Sequence, residues 1–88
     1  MTSRHLVVHG RVQGVFYRDW TVLTARSLGV SGWVRNLPDG TVEALVEGEL
    51  LSVEQMIEAM RGGPPRASVS SIDVTEREPE GLDGFSRR

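Results

Sequence analysis

The sequence predicts an α+β sandwich in which two helices cover one face of a four-stranded antiparallel sheet. Three observations lead to this fold class. The chain has only 88 residues, which allows a single domain. Short β-branched or alternating apolar runs are interspersed with two runs of helical periodicity. Turn signals rich in Gly and Pro separate these runs. We therefore expect one domain over residues 1–88, with a small core and with elements that are packed on one face and solvated on the other.

The first third of the chain predicts a strand, a loop and a helix. Residues 5–8 are apolar and partly β-branched, which indicates a strand. Residues 11–17 contain Gly14 and show no clear period, so we expect a loop there. Residues 18–28 place apolar and small side chains along one face of a helix, and Gly29 suits the position that follows its last turn.

The middle of the chain predicts an antiparallel hairpin. Residues 30–37 and 41–47 alternate in side-chain character, and a Pro-Asp-Gly turn signal at 38–40 separates them. In the second of these strands Glu43 and Glu47 fall on the face opposite the small apolar residues. We expect both glutamates to lie on a solvated surface.

A second helix is expected to begin at Ser52. Ser52 and Gln55 stand at the two positions of a capping box, in which each side chain bonds to a free backbone N–H group of the first turn. The sequence GGPP at residues 62–65 predicts the end of this helix.

The last part of the chain predicts one long strand and an acidic loop. Residues 67–75 are rich in Val, Ser, Ile and Thr, and a slip of the apolar phase between Val69 and Ile72 indicates a β-bulge. Residues 76–84 are expected to form a loop, with Phe85 as a short edge anchor. The order β-α-β-β-α-β predicts the ferredoxin-like split βαβ fold.

Composition and charge exclude several classes of function. The absence of cysteine removes disulfides, thiolate nucleophiles and thiolate metal sites. There is no apolar run of the ~20 residues that a membrane span needs and no signal-peptide core, so we expect a cytoplasmic protein without a membrane partner. The formal net charge of −2 disfavours nucleic acid as a partner. A monomer is the expected state for a chain of this size.

The charge is unevenly distributed along the chain. Residues 1–35 hold five arginines and one acid, whereas residues 36–88 hold five arginines and eleven acids. This asymmetry fits a local anion site in the first third, although small domains often show such asymmetry by chance.

The loop between the first strand and the first helix is the strongest candidate for an anion site. A loop at this place presents unpaired backbone N–H groups together with the positive end of a helix dipole. Gly14 lets a ligand approach the backbone, and Arg18 can bond two phosphate oxygens at once. The loop has neither a Gly-Lys-Ser/Thr sequence nor a Gly-x-Gly-x-x-Gly sequence, so ATP and dinucleotides are not implied. The alternative is an ordinary loop with a solvated Arg18.

Asn36, at the end of the second strand, is the other candidate. Its carboxamide can accept a hydrogen bond from a water molecule and donate one to the same water, but asparagine before Pro-Asp-Gly is also an ordinary turn residue. The two histidines, His5 and His9, are too far apart along a strand to share a metal ion, and neither has an obvious carboxylate partner.

Two segments resemble the signatures of a known family. Residues 10–18 read GRVQGVFYR and resemble the first signature of acylphosphatases, and residues 32–43 read GWVRNLPDGTVE and resemble the second. Residues 63–69 resemble the family's link into its fourth strand, and Phe85 resembles its final edge strand. The likeness covers nearly the whole chain and implies the same ferredoxin-like fold.

The resemblance implies hydrolysis of the carboxyl–phosphate bond of small-molecule acyl phosphates, with no metal ion or cofactor and no covalent intermediate. By position, Arg18 binds the phosphate and Asn36 orients the attacking water. The family's phosphate-binding backbone N–H groups correspond to Gln13, Gly14, Val15, Phe16 and Tyr17.

The chain departs from the family pattern at two places. Tyr17 replaces the more usual Phe, and the tail FSRR at residues 85–88 lacks the apolar residue that usually follows soon after the Phe. A non-enzymatic anion-binding or regulatory module on the same fold is the alternative function, since fold does not fix function. A piece of a larger enzyme is disfavoured by Met1 and by the full set of elements.

Overall fold

The computed structural model describes all 88 residues, which form five strands and two helices joined by loops and turns. In chain order the elements are β1 (Thr2–Arg11), α1 (Tyr17–Leu28), β2 (Ser31–Asn36), β3 (Val42–Gly48), α2 (Leu50–Gly62), β4 (Ser68–Arg77) and β5 (Phe85–Arg87). This order confirms the predicted β-α-β-β-α-β arrangement and extends it by one strand.

The sheet differs from the predicted one in strand number and direction. Its order is β4-β1-β3-β2-β5, so it has five strands and is mixed, whereas the sequence predicted four antiparallel strands. The fifth strand pairs in parallel with β2, from Gly32 opposite Phe85 to Val34 opposite Arg87. Without β5, β2 would be an open edge with unpaired backbone groups. The sequence predicted Phe85 only as a short edge anchor outside the four-stranded sheet, and its parallel pairing with the free edge of β2 was not predicted.

The core lies between one face of the sheet and the two helices. Alternate residues of the inner strands point towards the helices and are buried, as the two-residue period of a half-buried strand requires. The buried apolar side chains of this layer include Leu6, Val8, Val34, Val46, Met56 and Met60. Neither helix is long and apolar enough to cross a membrane.

The predicted bulge is confirmed, but the predicted cap of the second helix is wrong. The β1–β4 register passes from His9 opposite Ser71 to Gly10 opposite Val69, which leaves Ser70 as the extra residue. Helix α2 is preceded by Glu49 as its N-cap residue, and no side chain caps its first turn. Ser52 therefore lies inside the first turn, where its hydroxyl is no longer placed to bond the free N–H groups of the helix start.

The connection from β4 to β5 crosses the face of the sheet that the helices leave open, because these strands occupy opposite edges. Glu47 of β3 holds it in place. Its carboxylate accepts hydrogen bonds from the backbone N–H groups of Glu80 at 2.7 Å and of Gly81 and Leu82 at 3.1 Å each. The Ser3 hydroxyl donates to the same carboxylate at 3.1 Å. The expectation that Glu47 is solvated is therefore wrong, since it is fully buried.

Glu43 is also more buried than expected. Its side chain is 15% exposed and is bound by Nε2 of His5 at 2.7 Å and by Nε of Arg35 at 2.5 Å. Burial by itself would raise the pKa of Glu43, but the hydrogen bonds from His5 and Arg35 outweigh burial and leave it below its usual range. The expectation that the histidines lack carboxylate partners is wrong, because His9 also contacts Asp73, at 2.8 Å.

Candidate active site

The loop from β1 to α1 has the backbone of an anion cradle. Gly14 has φ 73° and Phe16 has φ 65°, both left-handed, while Val15 and Tyr17 have negative φ. Residues of alternating handedness turn successive N–H groups towards one concave side. None of the N–H groups of residues 12–19 donates to an acceptor within the protein. The loop therefore offers a set of free donors at the positive end of α1, where a negative ligand is favoured.

Gln13 fastens this loop to the hairpin turn between β2 and β3. Its Nε2 donates to the carbonyl oxygens of Leu37 and Thr41, each at 2.8 Å. The turn itself is closed by Asp39, whose Oδ1 accepts from the hydroxyl and the N–H of Thr41 at 2.6 and 2.9 Å. These hydrogen bonds from Thr41 lower the pKa of Asp39. The contact brings the end of β2 beside the cradle.

Arg18 lies in the first turn of α1, directly after the cradle. Its Nη1 donates to the main-chain oxygen of Arg88 at 3.0 Å, while its other N–H groups have no acceptor in the protein. This bond restrains the guanidinium and leaves its remaining donors free to bind an oxyanion. Arg88 is itself held in position by two contacts. Its N–H donates to the Val34 carbonyl at 2.8 Å, and its guanidinium lies 4.5 Å from the Trp33 ring centroid.

Asn36 is the last residue of β2 and faces the same space. Its Oδ1 is buried and is the only buried side-chain polar atom in the protein without a hydrogen-bond partner. Its amide nitrogen donates to no protein group either, so the whole carboxamide is uncommitted. An unsatisfied buried polar group in a native structure requires an explanation. A ligand or water held at this place would supply the missing partner.

A pocket of about 260 Å³ joins these elements. Of the predicted site residues, Gly14, Phe16, Tyr17, Arg18 and Asn36 line it. Gln13 and Val15 do not: the Gln13 side chain is used to anchor the loop, and the Val15 side chain is buried in the core. The structure thus brings Arg18 and Asn36 together at one pocket.

Three residues that line the pocket were not predicted: Val12, Asp19 and Arg87. Nη1 of Arg87 lies 2.6 Å from Oδ1 of Asp19, so the end of β5 is tied to the first turn of α1. The only signal for Arg87 in the sequence was its departure from the apolar residue usual in the tail. The resemblance placed an edge strand at Phe85, but it gave neither the extent of that strand nor its pairing with β2, so nothing in the sequence placed Arg87 beside Asp19.

The charged groups around the pocket favour anion binding. Burial raises the pKa of Tyr17 well above its usual range, and its hydroxyl donates to the Met60 carbonyl at 2.7 Å, so it stays neutral and structural. Neither histidine lines the pocket. Two arginines, Arg18 and Arg87, line the pocket, and its one side-chain carboxylate, Asp19, is already bound to Arg87.

The fold and the pocket define a class of protein: a ferredoxin-like sandwich with a pocket of free N–H donors where its first strand passes into its first helix. A sequence model of the acylphosphatase family matches residues 4–87. The chain therefore belongs to the acylphosphatase family.

Individual relatives agree with this assignment. The chain is 51% identical over 88 residues to an acylphosphatase of Acidiphilium cryptum, covering 100% of this chain and 97% of the relative. It is 56% identical over 81 residues to an acylphosphatase of Thermococcus kodakarensis, covering 92% and 89% of the two chains. The fold matches the crystal structure of an acylphosphatase from Bacillus subtilis with a TM-score of 0.97 and 39% identity, covering 100% of this chain and 99% of that one.

Proposed function

We propose that this chain hydrolyses the carboxyl–phosphate bond of acyl phosphates at the pocket between Arg18 and Asn36. The products are a carboxylate and inorganic phosphate, and the substrate is a small molecule. Membership of the acylphosphatase family supports the reaction. The structural observation that carries the assignment of the site is the unsatisfied Oδ1 of Asn36, which lies at the same pocket as Arg18 and the free loop N–H groups.

In this proposal the phosphate group sits in the cradle. The N–H groups of residues 13–17 have no protein acceptor and can donate to the phosphate oxygens, as can the free donors of Arg18. Charge-assisted hydrogen bonds of this kind are roughly twice as strong as neutral ones. Donors that are fixed before the substrate arrives stabilise the charge that develops on the transferring phosphoryl group without having to reorganise.

Asn36 holds the attacking water in this proposal. The oxygen and nitrogen of an amide exchange places by rotation of the terminal torsion, and no protein contact of Asn36 opposes either orientation. One carboxamide can therefore accept from a water molecule and donate to the same water or to the phosphate. Holding the water close to phosphorus turns a bimolecular attack into a nearly unimolecular one.

The reaction needs little further chemistry from the protein. The leaving carboxylate is stable without protonation, and a phosphate oxygen can take the proton from the water as it attacks. Phosphoryl transfer depends mainly on positioning and charge stabilisation. This accounts for a pocket that is lined by two arginines and an asparagine rather than by a histidine base.

A non-enzymatic anion-binding module is the weaker alternative, since phosphate binding alone does not require an uncommitted amide beside the cradle. We further propose that residues 1–88 act as one unit, as a monomer in the cytoplasm and without a nucleic-acid partner. The net charge of −2 supports the last point.

The experiment that tests the proposal compares two substrates. Benzoyl phosphate should be hydrolysed and 4-nitrophenyl phosphate should not, because the second lacks a carboxylate leaving group. In water enriched with oxygen-18 the label should appear in the phosphate product, since the water attacks phosphorus. Label in benzoate, or equal hydrolysis of both compounds, would contradict the proposed reaction. Phosphate binding without hydrolysis of either would favour the binding module.

A further inference from the structure

A second, larger concavity adjoins the phosphate pocket and is almost entirely apolar. It is an open groove of about 430 Å³ on the outer side of α1, and its apolar lining consists of Val15, Phe16, Trp20, Leu23, Pro64 and Pro65. Asp19 and Arg66 complete the lining as its polar members. Contiguous apolar surface of this kind on a small protein marks a binding site more often than scattered exposed leucines do.

Phe16 links this groove to the phosphate pocket. Its side chain lines both, and it is 71% exposed, so the ring contributes little to the core. Its backbone is left-handed, with φ 65° and ψ 20°, a conformation that glycine adopts freely and that costs other residues about 1–2 kcal/mol. Neither core packing nor backbone conformation therefore accounts for an aromatic side chain here. Contact with a ligand that spans the two concavities would account for it.

Leu23 forms the far wall of the groove. It is 67% exposed on α1, one turn beyond Asp19, although its neighbours Thr21 and Val22 are buried. Pro64 and Pro65 face it from the segment after α2, and their fixed φ makes this wall rigid. The groove is thus bounded by a helix on one side and by a stiff turn on the other, so it is formed before any ligand arrives.

We propose that this groove binds the acyl group of the substrate, so that the enzyme prefers acyl phosphates with an extended apolar acyl group over acetyl phosphate. The inference rests on the proposed function. Its occupant follows from continuity: a molecule whose phosphate lies in the cradle must leave the pocket with its acyl part passing Phe16, and the groove begins at that residue.

The test compares acetyl phosphate with hexanoyl phosphate, because the two leaving carboxylates have nearly the same basicity. Each fully buried methylene adds about fourfold in affinity, so four half-buried methylenes should favour hexanoyl phosphate in kcat/KM roughly tenfold. Leu23→Gln should raise the KM for hexanoyl phosphate and so reduce that preference at least about threefold, while the KM for acetyl phosphate stays the same. Leu51→Gln is the matched control, since Leu51 is also an exposed helical leucine, at 66%, and should leave the preference unchanged.

Phe16→Gly provides a second variant that keeps the left-handed backbone and removes the ring. It should also lower the preference for hexanoyl phosphate. Binding of hexylphosphonate against methylphosphonate measures the groove without turnover, and the same loss is expected in both variants. The proposal would be overturned if the wild type had the same kcat/KM for acetyl and hexanoyl phosphate. It would also be overturned if the preference for hexanoyl phosphate survived both substitutions. Failure to hydrolyse any acyl phosphate, with hexylphosphonate still bound more tightly, would overturn the proposed function and leave the groove assignment standing.

Discussion

The side-chain amide of Gln13 donates to the carbonyl oxygen of Leu37 at 2.8 Å, and so joins the phosphate cradle to the residue that follows Asn36. A second bond of the same length, to Thr41, makes the contact two-pronged. The distance between the phosphate-binding group and the water-orienting group in the proposed site is set by this bridge, although Gln13 itself does not line the pocket.

Gln13→Ala should therefore lower turnover and stability together. The substitution removes two hydrogen bonds, while the carbonyl oxygens of Leu37 and Thr41 each keep a backbone N–H donor, so the cost is about 0.5–1.5 kcal/mol per lost bond in the free energy of unfolding. A cradle displaced by even 1 Å from Asn36 should reduce kcat by about 100-fold. Urea unfolding and benzoyl phosphate kinetics measure the two effects. Gln55→Ala, at an exposed glutamine of α2, should change neither; wild-type kcat in the Gln13 variant would show that the bridge does not position the site.

Arg18→Ala should abolish the affinity for inorganic phosphate as well as turnover. Removing one preorganised donor group from an oxyanion site costs about 100- to 1,000-fold in rate. Arg18→Lys should recover only a small part of the lost phosphate affinity and turnover, because an ammonium group cannot make the planar two-pronged contact of a guanidinium. Competitive inhibition by phosphate is the measurement, and Arg77→Ala, at an exposed arginine of β4, is the control. Unchanged phosphate inhibition in the Arg18 variant would remove Arg18 from the site.

Treatment with a chelator should leave the activity unchanged. In the proposed mechanism the phosphate is held by the guanidinium of Arg18 and by the free N–H groups of the loop, so no metal ion is needed to bind it. The measurement is benzoyl phosphate hydrolysis before and after incubation with EDTA and removal of the chelator. Loss of activity that returns on adding a divalent cation would contradict the mechanism.

Glu47→Gln should weaken the protein in a pH-dependent way. Burial by itself would raise the pKa of Glu47, but the hydrogen bonds from Glu80, Leu82, Ser3 and Gly81 outweigh burial and lower it. A lowered pKa in the folded state means that Glu47 stabilises the fold above its ordinary pKa of about 4.3, and that this contribution is lost as the pH falls through the folded-state value.

The Glu47 variant should accordingly lose about 1.5–3 kcal/mol at pH 7, the range for hydrogen bonds to a charged group. The difference from the wild type should shrink as the pH is lowered from 7 through the folded-state pKa of Glu47, below which the wild-type carboxylate is itself protonated. Chemical unfolding across this pH range measures the difference in the free energy of unfolding. Glu58→Gln is the control, because the Glu58 side chain is 79% exposed. A stability difference that does not vary with pH would show that the charge of Glu47 is not what holds the connection to β5.

Local patterns predicted most of the fold and the two central residues of the proposed site. The period of two in β3, the helical spacing before Gly29 and the Pro-Asp-Gly turn all depend on neighbours in sequence, and each is found in the structure. The slip of the apolar pattern between Val69 and Ile72 also depends on neighbours in sequence, and it correctly predicted the β-bulge at Ser70.

The failures share a different cause: each depends on a partner far along the chain. Glu47 looked solvated because the three N–H groups that bury its charge follow it by 33 to 35 residues. Arg87 could not be placed in the pocket because its position depends on β5, which forms only against the free edge of β2. The uncommitted state of the Asn36 amide is likewise a property of the folded surroundings and not of the residue type.

Asn36→Ala tests the account most directly, because it removes the group assigned to the water and leaves the phosphate cradle intact. The predicted result is a fall in kcat of about 100-fold or more, with phosphate inhibition within about threefold of the wild type and an unchanged unfolding midpoint. Turnover that stays within tenfold of the wild type, at normal phosphate affinity, would contradict the water-orienting role of Asn36 and with it the proposed mechanism.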